Sequence, residues 1–409
     1  MKDICKAEIH GYGYDGEGVA RIGGKVVFLP FALKGENVEF VVTEEKNSFL
    51  RGKVEKVISA NSKRIKPKCP YFMKCGGCTL QHADYDYELQ IKQELLANQL
   101  KKVGFLGQID LCASPKDYGY RNKIRLFVGE NGLALKERGS CNLIYIKRCL
   151  LVQERINDAI EKINNFIVLQ SLSKSIGEVV IRQEGQSLLI NFVLKRDADI
   201  NYQGIFLLLG DCGIYETKKG VCKHKIGLKS LKTNEMGLDC EFSVNSFHQV
   251  NSLLMERLYK SVIENIHGDH VINCYSGAGV LGGIIAKQGK IVTGIELGES
   301  EHKDAEMLKN VNNLNNLTNI CGDCGEVMSN WQTFADTIIV DPPRAGMSIE
   351  VCNALNKIDC KRLVYVSCNS ATLVRDLARL DKFDIKKVLL FDMFARTGEY
   401  EVLCVCDKK

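Results

Sequence analysis

A cysteine between a strand-like run and a helical segment is the side chain best suited to nucleophilic chemistry in this sequence. Cys368 follows the apolar run Leu363-Val364-Tyr365-Val366-Ser367, and residues 371–380 have helical character. Enzymes built from alternating strands and helices place reactive groups in such turns. Backbone N–H groups at the start of the helix favour a thiolate, and Arg375, one turn in, is expected to add positive charge. The sequence therefore predicts that Cys368 is a nucleophile.

A carboxylate follows a second apolar run earlier in the chain. Thr337-Ile338-Ile339-Val340 leads into Asp341-Pro342-Pro343-Arg344, which contains two of the six prolines. Adjacent prolines stiffen a loop and remove N–H donors, so the carboxylate and the free carbonyls are held toward a planar substrate. The two runs are expected to be parallel strands, whose carboxyl ends meet at one edge of a sheet. Asp341 and Cys368 are therefore expected to act together.

A glycine-containing turn after a third apolar run predicts a cofactor site. His270–Tyr275 leads through Ser276-Gly277-Ala278-Gly279 into a helical segment, 280–287, and the next strand-like run ends at Glu296. Glycines let a ligand approach the backbone closely, and an acidic residue about 20 positions on accepts hydrogen bonds from ribose hydroxyls. This pattern suits a nucleoside-containing cofactor.

The same glycines leave an alternative open. Gly277, Gly279 and Gly282 satisfy G-x-G-x-x-G, so a nicotinamide- or flavin-dependent oxidoreductase must be considered. That interpretation gives no role to Cys368 or to the proline pair. Enzymes that methylate a nucleobase with S-adenosylmethionine often show an Asp-Pro-Pro motif, and an adenine N-methyltransferase would use it without needing a thiol.

A group of cysteines predicts a metal centre. Three lie close together in the pattern Cys-x5-Cys-Gly-Gly-Cys, and three more distant cysteines compete to supply a fourth ligand. The close set is Cys69, Cys75 and Cys78; the preferred fourth ligand is Cys149, with Cys141 and Cys112 as competitors. Four thiolates suit a [4Fe–4S] cluster or structural zinc. Zinc sites more often pair two Cys-x2-Cys motifs, so the spacing favours iron–sulfur.

Composition limits the class of protein that must position these residues. With 409 residues, two or three domains are expected. The hydrophobic content of 45% and charged content of 26% are those of a soluble globular protein, and a net charge of +5 does not by itself indicate nucleic acid. We see neither a signal peptide nor an apolar run of about 18 residues, so a cytoplasmic protein without a membrane segment is expected. In that compartment the 18 cysteines are expected to be thiols, ligands or nucleophiles rather than disulfides.

Three regions are expected along the chain. Residues 1–58 have short strand-like runs separated by turns, which predicts a small all-β barrel. Residues 59–240 predict an α+β region that begins with a basic linker, 61–68, and contains an amphipathic helix over 84–103. From 241 to 409 the strand–helix–strand pattern predicts an α/β domain with a doubly wound parallel sheet.

Taken together, these motifs resemble the RNA uracil-C5 methyltransferase family, in the branch that has an N-terminal TRAM domain and an iron–sulfur centre and modifies large-subunit ribosomal RNA. The resemblance spans nearly the whole chain. It implies a Rossmann-like S-adenosylmethionine-dependent methyltransferase domain at 241–409, preceded by an OB-like TRAM barrel at 1–58 and a central α+β domain at 59–240. Helix 84–103 is expected to pack on the catalytic domain. Cys69, Cys75, Cys78 and Cys149 fall where the family has its cluster ligands, which implies a [4Fe–4S] cluster with a structural or RNA-positioning role.

The resemblance also implies roles for individual residues. Ser367–Leu373 carries the nucleophile signature, Thr397-Gly398-Glu399-Tyr400-Glu401 carries the general base, and Phe247-His248-Gln249-Val250-Asn251 carries a glutamine that contacts the methyl donor. The positions implied to bind S-adenosylmethionine are Gln249, Tyr275, Glu296, Asp323 and Asp341.

Uracil chemistry explains why a thiol is needed. C5 of uracil is a poor nucleophile until a thiolate adds to C6, so Cys368 is expected to attack C6 before the methyl group is transferred to C5. Glu401 is then expected to remove the C5 proton. Glu399, two residues away on a strand, would face the same side and is not separated from it by periodicity. Asp341 is expected to orient the base edge or the donor, and Arg344 to stabilise the enolate oxygen.

The expected partner is RNA, most specifically 23S ribosomal RNA, and the expected state is a monomer without an obligate protein partner. Methylation of a transfer-RNA uridine is an alternative, disfavoured because transfer-RNA relatives are expected to lack the TRAM and cysteine segments. A non-catalytic RNA-binding protein is a further alternative. The sequence does not identify the target uridine.

Overall fold

The computed structural model describes residues 4–246 and 249–409. Residues 1–3 and Phe247-His248 lie outside the described residues, so two positions of the predicted donor-binding segment are not placed. Within the described ranges, no helix is long and apolar enough to cross a membrane.

The first strands form an N-terminal β-domain, residues 4–59. Its strands are β1 (Ile4–Glu8), β2 (Gly11–Tyr12), β3 (Gly18–Ile22), β4 (Lys25–Leu29), β5 (Asn37–Glu45) and β6 (Phe49–Ser59), in the sheet order β1-β5-β6-β4-β3-β2. Val27, Leu29, Val38 and Phe40 alternate with more exposed neighbours and close a small core. A Cβ on Gly52 would stand 2.5 Å from the Phe40 ring, so β6 needs glycine there. The prediction of a small all-β unit is confirmed.

The basic segment 61–68 lies outside the helices and strands, as expected of a linker, and it is packed against its neighbours. Arg64 donates from Nε to Glu36 Oε1 at 2.6 Å and from Nη2 to the Phe31 carbonyl. The Ile65 N–H donates to the His82 carbonyl. Glu36 is fully buried, so Arg64 neutralises a carboxylate that burial would otherwise destabilise.

The next elements are α1 (Tyr85–Leu100), which continues as a 3-10 turn to Val103, and β7 (Ile109–Cys112). Asp84 begins α1 as its N-cap by accepting from the Tyr87 N–H. The predicted helix is therefore confirmed over most of 84–103.

A second sheet follows. Its elements are β8 (Lys123–Gly129), β9 (Gly132–Lys136), β10 (Leu143–Tyr145), α2 (Glu154–Leu169), β11 (Ile176–Glu184), β12 (Ser187–Leu194), α3 (Tyr202–Leu209), β13 (Cys212–Lys218) and β14 (Val221–Gly227), with strand order β10-β9-β8-β11-β12-β13-β14. Ile156, Ile160, Ile163 and Ile167 line one face of α2 at helical spacing and are buried against this sheet.

The rest of the chain forms a separate two-stranded sheet and then, together with β7, the third and largest sheet. The two-stranded sheet is the hairpin of β15 (Leu231–Glu235) and β16 (Leu238–Phe242). The third sheet and its helices comprise α4 (Ser252–Glu264), β17 (His270–Cys274), α5 (Val280–Lys287), β18 (Ile291–Glu296), α6 (Glu299–Val311), β19 (Leu317–Cys321), α7 (Cys324–Ser329), β20 (Ala335–Val340), α8 (Ile349–Lys357), β21 (Cys360–Ser367), α9 (Ser370–Arg379), β22 (Phe383–Phe391) and β23 (Glu401–Lys408).

The third sheet has the order β19-β18-β17-β20-β21-β23-β22-β7. The doubly wound pattern is confirmed, but the expectation of a parallel sheet is only partly correct, because β23 runs antiparallel to both of its neighbours. The edge strand β7 comes from the range assigned to the central region. Helix α1 also belongs to this body, since Ile91, Leu96 and Leu100 share one core with strands of the sheet. Alternate residues of the central strands face helices on opposite sides, which accounts for their continuous apolar runs.

Candidate active site

The parallel strands end at one edge of the sheet, and the predicted site residues follow them there. Tyr275 follows β17, Glu296 ends β18, Asp341 follows β20 and Cys368 follows β21. Strands β18, β17, β20 and β21 are parallel neighbours in that order. The carboxyl edge of a doubly wound sheet, where the strand order reverses, is the usual place for a ligand site.

The turn that carries Cys368 is fastened to the Asp-Pro-Pro-Arg loop. Asn369 caps α9 by accepting at Oδ1 from the N–H groups of Ala371 and Thr372, at 3.0 and 3.4 Å. Its Nδ2 donates to the Arg344 carbonyl at 3.1 Å. The nucleophile turn and the proline loop therefore share one hydrogen-bonded side chain.

The thiol of Cys368 is harder to ionise than the sequence suggested. Burial, followed by the charges of Glu401 and Asp341, raises its pKa to about 11, and Arg344 is the charged neighbour that lowers it. The expectation that Arg375 assists is wrong. Its guanidinium donates to Asp376 and to the carbonyls of Ala345 and Met347. In the free protein the thiol is protonated at neutral pH.

Glu401 and Glu399 have different surroundings. Glu401 is the first residue of β23 and is 4% exposed, and its Oε2 has no hydrogen-bond partner among the described residues. Burial, followed by the charge of Asp341, raises the pKa of Glu401 well above its ordinary value. Glu399 lies in the loop before β23 and forms an ion pair with Arg344. The expectation that both glutamates project from one side of a strand is wrong.

Asp341 shares this carboxylate environment. Burial raises the pKa of Asp341 to about 7, so near neutral pH a substantial fraction of this carboxyl carries a proton. A protonated carboxyl donates a hydrogen bond, whereas an ionised one only accepts. Cys368, Glu401 and Asp341 thus form a group of titratable side chains at the ends of adjacent strands.

The other predicted donor-binding residues lie at the ends of the neighbouring strands. Glu296 accepts at Oε2 from the Gly277 N–H and at Oε1 from the Gly298 N–H, at 2.9 and 2.8 Å. Asp323 caps α7 by accepting from two backbone N–H groups. Burial raises the pKa of Tyr275, and the charge of Asp323 adds to that rise. Tyr275 has a positive φ of 58°, and a Cβ on Gly277 would meet nothing within 4 Å. The turn is therefore open where a ligand would approach.

Gln249, the predicted donor-binding glutamine, lies in the segment before α4. It is buried, and its carbonyl accepts from Asn122 Nδ2 at 3.1 Å. Asn251, fully buried, donates to Ser114 Oγ and to the Met393 carbonyl. The segment is thus fastened to both the second sheet and the third.

Gly282 occupies the third glycine position of the G-x-G-x-x-G pattern. In dinucleotide-binding proteins the glycine at this position allows close packing between helix and strand. A Cβ on Gly282 would make only ordinary contacts, the nearest at 3.5 Å to Asn273 and Val292. The G-x-G-x-x-G pattern therefore lacks its steric basis.

The predicted cysteine centre is gathered at one cavity. A cavity of about 350 Å³ is lined by Cys69, Cys75, Cys78 and Cys149 together with Arg121 and Arg148. Cys75 Sγ accepts a hydrogen bond from the Gly77 N–H. Cys149 Sγ accepts hydrogen bonds from the backbone N–H groups of Leu151 and Val152. The competitors Cys141 and Cys112 do not line this cavity.

The described residues contain no group of three or more His, Cys, Asp or Glu side chains that could hold a metal ion. The four cysteines share one cavity, and the iron–sulfur centre stays a prediction.

Two features of the site were missed by sequence reasoning. Tyr14 of the N-terminal β-domain donates from its hydroxyl to Asn369 Oδ1 at 2.8 Å. Buried Lys92 on α1 forms ion pairs with Glu88 and Asp392. No spacing in the sequence indicates contacts across 355 and 300 positions.

Comparison with known proteins identifies two family models. Residues 212–409 match the model described as tRNA (Uracil-5-)-methyltransferase, and residues 4–54 match the TRAM domain. A Francisella tularensis subsp. novicida protein named 23S rRNA (uracil(1939)-C(5))-methyltransferase RlmD is 32% identical, covering 99% of this chain and 97% of its own. A Pyrococcus abyssi protein named tRNA (uracil(54)-C(5))-methyltransferase is 30% identical, covering 95% of this chain and 96% of its own.

A solved structure agrees over almost the whole chain. The crystal structure of the Pyrococcus abyssi tRNA (uracil-54, C5)-methyltransferase with S-adenosyl-L-homocysteine has a TM-score of 0.83 and 27% identity, covering 98% of this chain and 99% of its own. The argument that transfer-RNA relatives lack the N-terminal and cysteine segments is therefore wrong, because this relative aligns across both.

Proposed function

Because this chain belongs to the RNA uracil-C5 methyltransferase family, we propose that it transfers a methyl group from S-adenosylmethionine to C5 of a uridine in 23S ribosomal RNA. The observation that carries the proposal is Cys368 at the end of β21, beside Glu401 and Asp341. An oxidoreductase or an adenine N-methyltransferase has no use for this thiol. With ribosomal RNA as substrate, the proposed place of action is the cytoplasm.

Cys368 is the proposed nucleophile. The thiol first loses its proton to solvent. The thiolate then bonds to C6 of uracil, and the electrons of the C5–C6 double bond move onto the C4 carbonyl as an enolate. Bound S-adenosylmethionine supplies an electrophilic methyl group. C5 then bonds to the methyl carbon as the carbon–sulfur bond of the donor breaks. Arg344, next to the site, is the proposed partner of the enolate oxygen.

Glu401 is the proposed general base. It takes the C5 proton, the C5–C6 double bond re-forms, and the C6–sulfur bond breaks to release Cys368 as a thiolate. Its Oε2, which has no partner among the described residues, is available to accept the proton, and burial raises the pKa of Glu401, which makes its carboxylate a stronger base. Glu399 is instead neutralised by Arg344.

Asp341 is proposed to contact the edge of the uracil. With a pKa of about 7, its carboxyl can donate to a carbonyl oxygen of the base. Tyr275, Glu296, Asp323 and Gln249 are proposed to hold S-adenosylmethionine. Glu296 retains lone pairs for ribose hydroxyls, because each of its oxygens accepts one backbone bond in the structure.

RNA is proposed to approach along a cleft between the N-terminal β-domain and the cysteine segment. The cleft has a volume of about 540 Å³, and its lining includes Arg51, Lys136 and Arg138. Basic side chains of this kind bind phosphates without reading sequence. The target uridine must leave its stack to reach Cys368.

Cys69, Cys75, Cys78 and Cys149 are proposed to hold a [4Fe–4S] cluster with a structural role. Such a cluster would connect residues 69–78 to Cys149 through its iron–thiolate bonds, although the two are far apart in the chain. The neighbouring Arg121 guanidinium offsets the negative charge of four thiolates. Iron and sulfide analysis of anaerobically purified protein tests this, with Cys149→Ser expected to lose the metal and Cys141→Ser to retain it.

A covalent trap tests the proposed reaction. Protein and S-adenosylmethionine are incubated with 23S ribosomal RNA transcripts that contain 5-fluorouridine. Fluorine at C5 cannot leave as a proton, so elimination stalls and a protein–RNA adduct that survives denaturation is expected at Cys368. No adduct in protein that binds S-adenosylmethionine would refute Cys368 as nucleophile.

A second candidate substrate is transfer RNA, favoured by the named target of the Pyrococcus abyssi relative. The same trap with fluorinated transfer-RNA transcripts separates the two. We expect the adduct with ribosomal RNA, mapped to one uridine by sequencing. An adduct restricted to transfer RNA would assign the second candidate.

A further inference from the structure

The loop between β2 and β3 of the N-terminal β-domain reaches the catalytic edge of the third sheet. A Cβ on Gly398 would stand 2.3 Å from the Asp15 carbonyl oxygen, so the loop rests directly on the backbone that precedes Glu401. Gly16, which has a positive φ of 76°, packs against Leu80. This docking is possible because position 398 has no side chain.

Tyr14 lies at the tip of this loop, beside the nucleophile. Its hydroxyl donates to Asn369 Oδ1 at 2.8 Å, and Asn369 directly follows Cys368. Burial raises the pKa of Tyr14, and the charges of Arg344, Glu399 and Cys368 have smaller effects on it. Yet Tyr14 is 48% exposed. One end of the ring is fixed, and part of its surface faces the solvent at the entrance to the site.

The protein has no structural need for an exposed aromatic ring here. The hydrogen bond to Asn369 uses only the hydroxyl, and Asn369 Oδ1 already accepts two backbone N–H groups of α9. A fixed, half-exposed aromatic ring is, however, the surface on which proteins stack unpaired nucleobases. A uridine displaced from its stack needs such a surface next to the thiol.

We propose that Tyr14 is a substrate-contacting residue of the catalytic site and stacks on the target uracil or on the base next to it. This inference depends on the proposed function, since it assumes a flipped uridine at Cys368. The N-terminal β-domain then completes the catalytic entrance in addition to binding RNA elsewhere.

Substitution at Tyr14 tests the stacking. The adduct-forming rate constant at Cys368 is measured at subsaturating RNA with 5-fluorouridine transcripts, together with the affinity for S-adenosylmethionine. Loss of one stacked base corresponds to a decrease of about 5- to 150-fold, which is expected for Tyr14→Ala. Tyr14→Phe, which keeps the ring, is expected to stay within about twofold of the wild type, and donor affinity is expected to be unchanged in both.

Tyr145 provides a matched control, because it is an exposed tyrosine on the edge strand β10 of the second sheet. Tyr145→Ala is expected to form adduct at the wild-type rate. If Tyr14→Phe fails as badly as Tyr14→Ala, the hydroxyl alone matters and the stacking proposal is wrong. An unchanged rate in Tyr14→Ala would also overturn it.

A photo-crosslink gives a direct readout of position. Tyr14 is replaced by p-benzoylphenylalanine, the adduct at Cys368 is formed, and the complex is irradiated. A second crosslink at the fluorouridine or its immediate neighbour is expected; a crosslink elsewhere in the RNA overturns the proposal. Failure of the wild type to form any adduct would instead refute the proposed function, so the two failures are distinguishable.

Discussion

Glu399 and Glu401 occupy different environments although a single residue separates them. Glu401 is buried with an unpartnered oxygen, and Glu399 is held by Arg344 at the exposed entrance. A carboxylate with a free lone pair can accept a carbon-bound proton, whereas one engaged by a guanidinium is a weaker base. Burial and pairing therefore separate two side chains that sequence periodicity left equivalent.

Glu401→Gln is expected to arrest the reaction after methyl transfer. The C5 proton then has no acceptor, so a covalent adduct should accumulate with ordinary uridine RNA, and turnover should fall by about 10²–10⁴-fold. Denaturing gel electrophoresis of protein with radiolabelled RNA measures the adduct. Glu399→Gln is the control and is expected to turn over without accumulating it. Accumulation in Glu399→Gln but not in Glu401→Gln would exchange the two roles.

The ionisation of Cys368 should respond to its charged neighbours. Its pKa of about 11 is raised by Glu401 and lowered by Arg344. Glu401→Gln should therefore shift the pH profile of alkylation by iodoacetamide to lower pH, and Arg344→Gln should shift it to higher pH. Mass spectrometry of the peptide that contains Cys368 measures both. Identical profiles in the two variants would show that neither charge acts on the thiol.

At the scale of elements, a buried ion network joins α1 to the segment that leads into β23. Lys92 donates to Glu88 Oε1 at 2.8 Å and also to Asp392, and all three side chains are fully buried. The Arg396 N–H donates to the same Glu88 oxygen at 2.6 Å. The network thus fixes the backbone between β22 and Glu401.

Lys92→Met is expected to lower the free energy of unfolding by about 3–5 kcal/mol, because it leaves carboxylates buried without their cation. Glu88 already has a pKa raised to about 7, chiefly by burial, and Lys92 lowers it. Without Lys92 that pKa rises further above the unfolded value, so the folded state binds more protons and the loss of stability grows as the pH rises from 6 to 8.

Urea denaturation at both pH values tests this. Lys260→Met, at an exposed pair with Glu256, is the matched control and should cost only about 0.3–0.5 kcal/mol. Equal losses in the two variants would mean that the buried network does not stabilise the fold.

Elements that depend on interactions between residues close in sequence could be predicted, whereas those that depend on distant residues could not. Apolar runs and turns are local, so β4, α5, β20 and the edge that carries Cys368 could be predicted. The antiparallel insertion of β23 and the addition of β7 depend on pairing between distant strands, which periodicity does not encode. The surroundings of Arg375 were mispredicted for the same reason, because its partners include the distant carbonyls of Ala345 and Met347.

At the scale of the whole molecule, a short, packed segment lies between the cysteine-lined cavity and Glu401, the proposed general base. The N–H groups of Thr79 and Leu80, which follow Cys78, donate to the Arg396 carbonyl at 3.1 and 3.2 Å. The Tyr120 hydroxyl donates to the Ala395 carbonyl at 3.0 Å, and Ala395 shares a small core with Cys78 and Cys149. Residues 394–396 therefore pack near Cys78 and Cys149, and the chain continues from them to Glu401.

Loss of the proposed metal centre should consequently impair catalysis by displacing this segment, although no metal takes part in the proposed chemistry. Cys78→Ser, or removal of metal by a chelator, should increase hydrogen–deuterium exchange in residues 394–401. A displacement of about 1 Å there is enough to reduce turnover by about 100-fold. Affinity for S-adenosylmethionine should change little, since the proposed donor contacts at Tyr275, Glu296 and Asp323 follow other strands.

Cys141 separates this effect from general damage to cysteines. It is exposed and does not line the cavity, so Cys141→Ser should match the wild type in both exchange and turnover. If exchange in residues 394–401 stays at the wild-type level when the metal is gone, the centre does not hold this segment, and any lost activity must come from RNA binding. If exchange rises there and donor affinity is retained, the proposed cysteine centre acts as a structural support for the proposed base, Glu401.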